Sequence, residues 1–380
     1  MSTDLLHLDG TVRARDPEDT WRALVPRLAD YGITRVADLT GLDHLGLPVW
    51  VAHRPTAAAL TVSQGRGATS RLAAVAAAME AVERWHAEQQ PTVDVHGNAG
   101  EIGLDHPLDA LPLRVPPQSM RDLRGLGRVP QDWTAGQGLL TGRLLHVPSG
   151  LVSRAPGPLW APGLWRATST GLACGNTWHE AVAHGLFEVI ERHALHVDEQ
   201  AGGHLRTPVD PDSVESPYAR RLVDRLDDRG ALVRLYSVGN AFGLPVCLAG
   251  VWSEDYPAWF VGAGCHLDPH IALTRALTEA AQARLTSIAG LRDDLPSRAV
   301  FTDPQPADPP SREQPSNWTA LLRTWPTPAD YTLADLVRTA AERLRRVTTY
   351  EPVAVTLSRP DAPVDAVKVV APGARGGARD

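Results

Sequence analysis

The sequence predicts an α+β fold, a mostly antiparallel sheet with long helices that carry paired glutamates. A segment of small residues feeds a long, mostly apolar helix ending in E-x-x-E-R, and this unit occurs twice. A third segment of the same kind, Trp259 to Gly264, feeds another long helix at 269–289. Strand-like runs at 231–237 and 246–252 follow one another without a helix between them. Strands and helices therefore do not alternate as in a doubly wound sheet.

In the first copy, Leu72 to Met79 has no charge and is followed by Glu80, Glu83 and Arg84. A helix that is apolar nearly all round is usually buried. In the second copy the motif is Glu188, Glu191 and Arg192. Counting back from it gives His184, Glu180 and Asn176, all within roughly a third of the helix circumference. His184 is read as a structural hydrogen-bonder. Carboxylates at i and i+3 share a helix face. On buried helices they must be paired, protonated or bound to a metal. Magnesium takes hard oxygen ligands, usually a few carboxylates plus phosphates. A single copy reads equally well as a solvated helix end. Two matched copies point to a magnesium–polyphosphate site.

The remaining elements follow in order. Residues 17–31 read as a helix opened by Pro17-Glu18-Asp19. Ile33 to Leu39 and Leu47 to Ala52 read as strands. Ser63-Gln-Gly65-Arg66-Gly67-Ala-Thr69 reads as a glycine-rich loop between a strand and the first motif helix. Such a loop allows close backbone approach and offers free N–H groups to an anion, and Arg66 adds charge-assisted contacts to phosphate. It matches neither the P-loop nor the dinucleotide-binding fingerprint. Residues 91–165 are rich in Pro and Gly, with a strand-like stretch from Leu139 to Leu145. Thr168 to Thr177 reads as a second small-residue loop. A helix is expected at 217–229. The helix at 269–289 carries Arg275, Glu279 and Gln282 on one face, read as a surface i,i+4 ion pair. Residues 296–328 are Pro-rich and read as a mobile loop. A helix at 332–346 and a strand at 352–358 precede a Gly/Arg tail. The expected organisation is an N-terminal segment, 1–59, continuous with a main domain, 60–372, and a flexible tail, 373–380.

Composition narrows the function classes. The chain has 380 residues, 43% of them hydrophobic and 21% charged, which fits an ordinary globular protein with a sizeable core. A net charge of −7 carries no nucleic-acid or anionic-membrane signature. The start lacks a signal-peptide pattern, and no uncharged apolar run reaches transmembrane length. Cys174, Cys247 and Cys265 are widely spaced and odd in number, which argues against a disulfide framework. They are expected as small buried residues. The expected location is the cytoplasm. Lys368 is the only lysine, so arginine supplies nearly all the positive charge.

This series of motifs resembles the YcaO family. That family carries an S-x-G-K-G-type loop, E-x-x-E-R, N-G-x-x-x-G-N-T, and a Glu followed eight residues later by a second E-x-x-E-R. Here the series reads Ser63-Gln-Gly65-Arg66-Gly67, then Glu80/Glu83/Arg84, then Thr170-Gly171-Leu-Ala-Cys-Gly175-Asn176-Thr177, then Glu180, then Glu188/Glu191/Arg192. The resemblance spans roughly 30–300, with a weaker continuation toward 370. It implies an ATP-binding fold with magnesium at Glu80, Glu83, Glu180, Glu188 and Glu191. Ser63, Arg66, Arg84, Asn176, Arg192 and Arg275 are the candidate nucleotide contacts. It also implies ATP-dependent phosphorylation of a backbone amide oxygen in a ribosomally made precursor peptide. A neighbouring Cys, Ser or Thr then gives an azoline, whereas sulfide gives a thioamide, often with a TfuA partner. Arg66 and Thr170 depart from the family pattern, which has Lys and Asn there. The C-terminus lacks the Pro-x-Pro-x-Pro ending of azoline-forming members, and no leader-binding domain is fused. Residues 264–295 look like the stretch seen in TfuA-associated members. Thioamide formation with a TfuA-like partner is therefore expected, and a homodimer is allowed. The alternatives are an azoline-forming cyclodehydratase, a small-molecule ligase or kinase, and a non-catalytic ATP-binding scaffold.

Overall fold

The computed structural model of the chain describes residues 5–114, 125, 127–153, 165–291 and 315–376. In chain order the elements begin with β1 (Leu6–Leu8), β2 (Thr11–Arg13), α1 (Pro17–Leu24), β3 (Arg35–Asp38), β4 (Val49–His53), β5 (Val62–Arg66) and α2 (Ser70–Ala87). Next come β6 (Val95–Gly97), β7 (Gln131–Gly138), β8 (Leu144–Pro148), β9 (Leu172–Gly175) and α3 (Trp178–Gln200). Then follow β10 (Arg206–Val209), α4 (Pro217–Asp228), β11 (Ala231–Val238), β12 (Val246–Ser253), β13 (Tyr256–Cys265) and α5 (Pro269–Ala289). The last are α6 (Leu333–Thr348), β14 (Val353–Thr356) and β15 (Asp365–Val370). Local chemistry sets several of the helix starts. The Asp16 side chain accepts from the Glu18 N–H ahead of α1, and Asp268 accepts from the His270 N–H ahead of α5. Thr332 and Asp335 form a reciprocal capping box on α6.

The chain divides into two compact units, each built from two segments: 1–81 with 197–330, and 82–196 with 331–380. The first unit holds the antiparallel sheets β3-β4-β5 and β10-β11-β12-β13 and the β1-β2 hairpin. Its larger core joins Leu222 and Leu226 of α4, Leu235 and Val251 of the sheet, and Leu273 and Leu277 of α5. Trp318, fully buried, joins the same core. The second unit holds β6-β7-β14-β15-β9, with β8 paired to β7. Its core includes Val147, Leu151, Trp165, Val353 and Val370. Among the described residues every strand ladder in both units is antiparallel, as the sequence led one to expect.

Four local expectations are corrected. Both small-residue loops contain strands: β5 covers Val62–Arg66 and β9 covers Leu172–Gly175. Of Leu139 to Leu145 only Leu144 and Leu145 are strand, the start of β8. The rest is mainly the turn of the β7–β8 hairpin, where the Gly138 N–H bonds the Arg143 carbonyl. Beyond β14 the chain makes β15, which pairs with both β14 and β9. The sequence reading named no element between the strand at 352–358 and the tail at 373–380, where this strand runs through the buried Lys368. Inside the Pro-rich stretch, Trp318–Leu322 is helical and anchored by Trp318. Residues 292–314 and 377–380 lie outside the described residues.

Candidate functional site

Helix α2 feeds off β5 and helix α3 off β9, and the same geometry recurs in both pairs. Gly65 faces α2 so closely that a Cβ there would overlap the Ala77 nitrogen and the Ala73 carbonyl. At Gly175 a Cβ would overlap the Ala181 nitrogen of α3. These glycines let a helix lie on its own strand. The sequence reading gave Gly65 a close backbone approach to phosphate and gave Gly175 no role of its own.

The first glutamate of each E-x-x-E then accepts a backbone N–H from the strand segment that feeds its helix. Glu80 Oε2 accepts from the Gln64 N–H at 3.1 Å, and Glu188 Oε2 from the Gly171 N–H at 3.1 Å. In the second unit Glu83 Oε2 accepts from the Cys174 N–H at 3.2 Å. Glu83 and Glu188, from two helices, thus grip one short stretch of backbone around β9. Charge-assisted bonds of this kind compensate the partial burial of both acids.

Glu180 is 1% exposed, and the Asn176 amide donates to both its oxygens, at 3.3 and 3.2 Å. Asn176 lies before α3, so it is not part of the helical stripe. Thr177 opens the helix, its Oγ1 accepting from the Glu180 N–H. Glu191 is 6% exposed. Arg192 approaches Glu188 at 3.9 Å. Arg84 is half-buried one turn from Glu80 and next to Glu83. The second unit therefore gathers Asn176, Glu180, Glu83 and Glu188 along the junction of β9 with its helix.

In the first unit Ser63 is buried on β5. Arg66 donates from all three guanidinium nitrogens to α5: to Glu279 at 2.9 Å, Gln282 at 2.8 Å and Thr278 at 3.3 Å. The acid partner of Glu279 is thus Arg66, and the expected local pair with Arg275 is replaced by one across 213 residues of sequence. Arg275 sits half-buried on the same helix, and its charge helps hold the His266 imidazole neutral. Gly262 and Gly264 lie against α5 as Gly65 lies against α2, so the third strand–helix unit repeats the packing of the other two.

One structural feature escaped the sequence reading. Lys368, 5% exposed, donates to the Thr168 and Thr170 carbonyls at 2.6 and 2.8 Å and so fixes the approach to β9. Its being the one lysine of the chain was the available signal. Burial and the nearby Glu83 push the Cys174 thiol well up, which makes it an inert packing group. None of the three cysteines forms a disulfide, and all are buried. Among the described residues no three His, Cys, Asp or Glu side chains converge as a ready metal cage, and no helix is long and apolar enough to cross a membrane.

Comparison with known proteins identifies the family of the chain. The family model described as YcaO cyclodehydratase, ATP- and Mg2+-binding, matches residues 64–375. An uncharacterized protein of Mycobacterium tuberculosis is 38% identical over 98% of this chain and 84% of its own length. A protein from the tfuA 3′ region of Rhizobium leguminosarum bv. trifolii is 34% identical over 95% of this chain and 88% of its own. Among solved structures, YcaO from Methanopyrus kandleri, bound with AMPPCP and Mg2+, superposes with a TM-score of 0.70 at 24% identity, covering 98% of this chain and 94% of that one. A heterocyclase in complex with substrate and cofactor gives 0.76 at 20% identity over 99% of this chain, which spans 55% of the heterocyclase. The chain belongs to the YcaO family of ATP- and Mg2+-binding proteins.

Proposed function

We propose that this protein uses ATP and magnesium to activate a backbone amide of a ribosomally synthesised precursor peptide, and that it forms a thioamide there with a TfuA-like partner. Family membership supports the activation. The observation that carries the sulfur chemistry is the relative from the tfuA 3′ region, similar along nearly the whole chain.

The residues present fit the cofactors. The acids offer hard oxygens, and each of Glu80, Glu83 and Glu188 has one oxygen fixed by a backbone N–H. The absence of a ready three-acid cage among the described residues suits a cation completed by phosphate oxygens. When bound, ATP supplies the phosphoryl group with which the amide oxygen leaves as phosphate while sulfide takes its place on the carbon. In this reading Glu80, Glu83, Glu180, Glu188 and Glu191 hold the magnesium. Ser63, Arg84, Asn176, Arg192 and Arg275 contact phosphates, the arginines balancing charge as it develops. Arg66, engaged by α5, orients β5 and the Gln64 N–H that holds Glu80.

Azoline formation is the second reading, favoured by the family description and by the likeness to a heterocyclase. Mass spectrometry of the precursor after co-expression, with and without the TfuA-like protein, separates the two. Exchange of oxygen for sulfur, dependent on the partner, is expected. Loss of one water at Cys, Ser or Thr rejects the thioamide reading in favour of the azoline one. ATP consumption with no peptide change rejects both.

A further inference from the structure

The second unit contains a cavity of about 430 Å3 that the chemistry above does not use. Its charge is one-sided. Among the described residues Arg114, Arg166, Lys368 and Arg375 line it, against one acid, Asp109. Lys368 brings its ammonium into the wall while bonded to two carbonyls. Arg114 and Arg375 are exposed at the rim, and among the described residues neither side chain pairs with an acid. His196, in the same wall, has a buried Nδ1 with no hydrogen-bond partner among the described residues. Between these groups the wall is apolar, with Leu113, Leu151, Val189 and Val370. One side is extended backbone: Leu113 bridges Trp165, and the Arg166 N–H bonds the Pro112 carbonyl.

Each feature constrains the occupant. Rim arginines with no acid partner among the described residues, beside a buried lysine, call for carboxylates. The volume and the apolar wall exceed what a lone anion needs and call for a hydrophobic body. An extended wall suits an extended chain better than a compact ligand. We infer that this cavity binds an acidic, leucine-like stretch of peptide, its carboxylates at the rim arginines and its apolar side chains against Leu113 and Val370. This rests on the reading of a peptide as substrate, and it names the kind of sequence that is held while an amide is modified.

The probe is a short synthetic peptide of alternating leucine and aspartate, fluorescently labelled, with a twin carrying asparagine for aspartate. Anisotropy titrations against the full chain at low salt should show the aspartate peptide binding at least about tenfold tighter than its twin, with the gap narrowing as salt is added. The Arg114→Glu/Arg375→Glu variant should lose at least about tenfold for the aspartate peptide and nothing for the twin. Both positions are exposed, so the fold should hold, and an Arg114→Gln/Arg375→Gln variant with an intermediate loss guards against misfolding. Equal binding of the two peptides, or by wild type and the Glu variant, overturns the inference. Full displacement of the peptide by octanoate at equal concentration overturns it in favour of a small carboxylate ligand. The parent reading fails separately. Tight aspartate-peptide binding with no precursor modified would leave the cavity assignment standing and the thioamide reading fallen. Thioamidation with an unchanged KM in the Glu variant would do the reverse.

Discussion

Glu83 gives one oxygen to the Cys174 N–H, so its removal mixes two effects unless the substitution keeps that acceptor. Glutamine does, through its amide oxygen, while removing the charge a cation needs. Glu83→Gln and Glu191→Gln should therefore lower ATP turnover by about 100-fold or more and leave the unfolding midpoint nearly unchanged. Unchanged turnover in both variants would remove these acids from the metal site. Arg192→Ala should lower kcat/KM for ATP far more than it lowers stability. If only stability falls, the side chain is structural. His266 predicts a pH effect. Its imidazole is 3% exposed, and burial first, then the charges of Arg275, Arg13 and His7, lowers its pKa from 6.5 to about 3, while the Asp268 N–H donates to its Nδ1. Below pH 6.5 the unfolded chain takes up a proton that the folded chain refuses, so stability is full above that pH and falls toward pH 3. The slope approaches about 1.4 kcal/mol per pH unit. His86, lowered from 6.5 to about 4 chiefly by burial, adds to the upper part of the same window. Denaturant midpoints from pH 7.5 to 5 should fall, and His266→Asn, which keeps an acceptor for the Asp268 N–H, should flatten part of the fall. A profile identical to wild type would mean that His266 does not couple to folding.

At the scale of elements, the recurring device is a glycine strand laid directly on the helix it feeds, at β5–α2, β9–α3 and β13–α5. The contact is with helix backbone, which cannot turn aside as a side-chain end can. Gly65→Ala and Gly262→Ala should each cost about 3 kcal/mol or more, or prevent folding. Gly41→Ala, with open space around it, should stay within about 0.5 kcal/mol. Equal denaturation curves for Gly65→Ala and wild type would refute the packing role. The same device explains what the sequence let one read. Long uncharged runs such as Leu72 to Met79 announce buried helices, and α5 was legible to its ends because Pro269 and Gly290 bracket it. The motif acids were legible because charge inside such runs demands a partner. Their actual partners were not. The Gln64, Gly171 and Cys174 N–H groups carry no side-chain signature, and the Arg66–Glu279 pair joins positions 213 residues apart. Glycine itself is ambiguous, since it serves a tight loop and a close strand–helix contact equally well, and only the three-dimensional neighbour decides. β15 was missed for a related reason. It is a short valine-rich strand carrying the one lysine, and its pairing with β9 is non-local.

For the whole molecule, ligand linkage tests the magnesium arrangement without reference to the peptide. Any ligand bound by the folded chain alone raises stability by RT ln(1 + [L]/Kd), about 2.7 kcal/mol at a hundred times Kd. A protein with a ready carboxylate cage would show part of this with the metal alone, as calcium proteins do. Here no three acid, histidine or cysteine side chains converge among the described residues, and one oxygen each of Glu80, Glu83 and Glu188 is already held by a backbone N–H. Without such convergence the carboxylates alone do not replace much of the hydration shell that magnesium gives up reluctantly, so phosphate oxygens must complete it. Millimolar magnesium without nucleotide should therefore leave the melting temperature unchanged. ATP with EDTA should do little, because the acids then face the polyphosphate with no cation between them. Magnesium and ATP together should raise the melting temperature by several degrees, and the rise should vanish in Glu83→Gln/Glu191→Gln. A comparable rise with magnesium alone would show a preformed cage and overturn the shared-ligand arrangement. A rise with ATP in EDTA that survives the double substitution would place the nucleotide away from the paired glutamates.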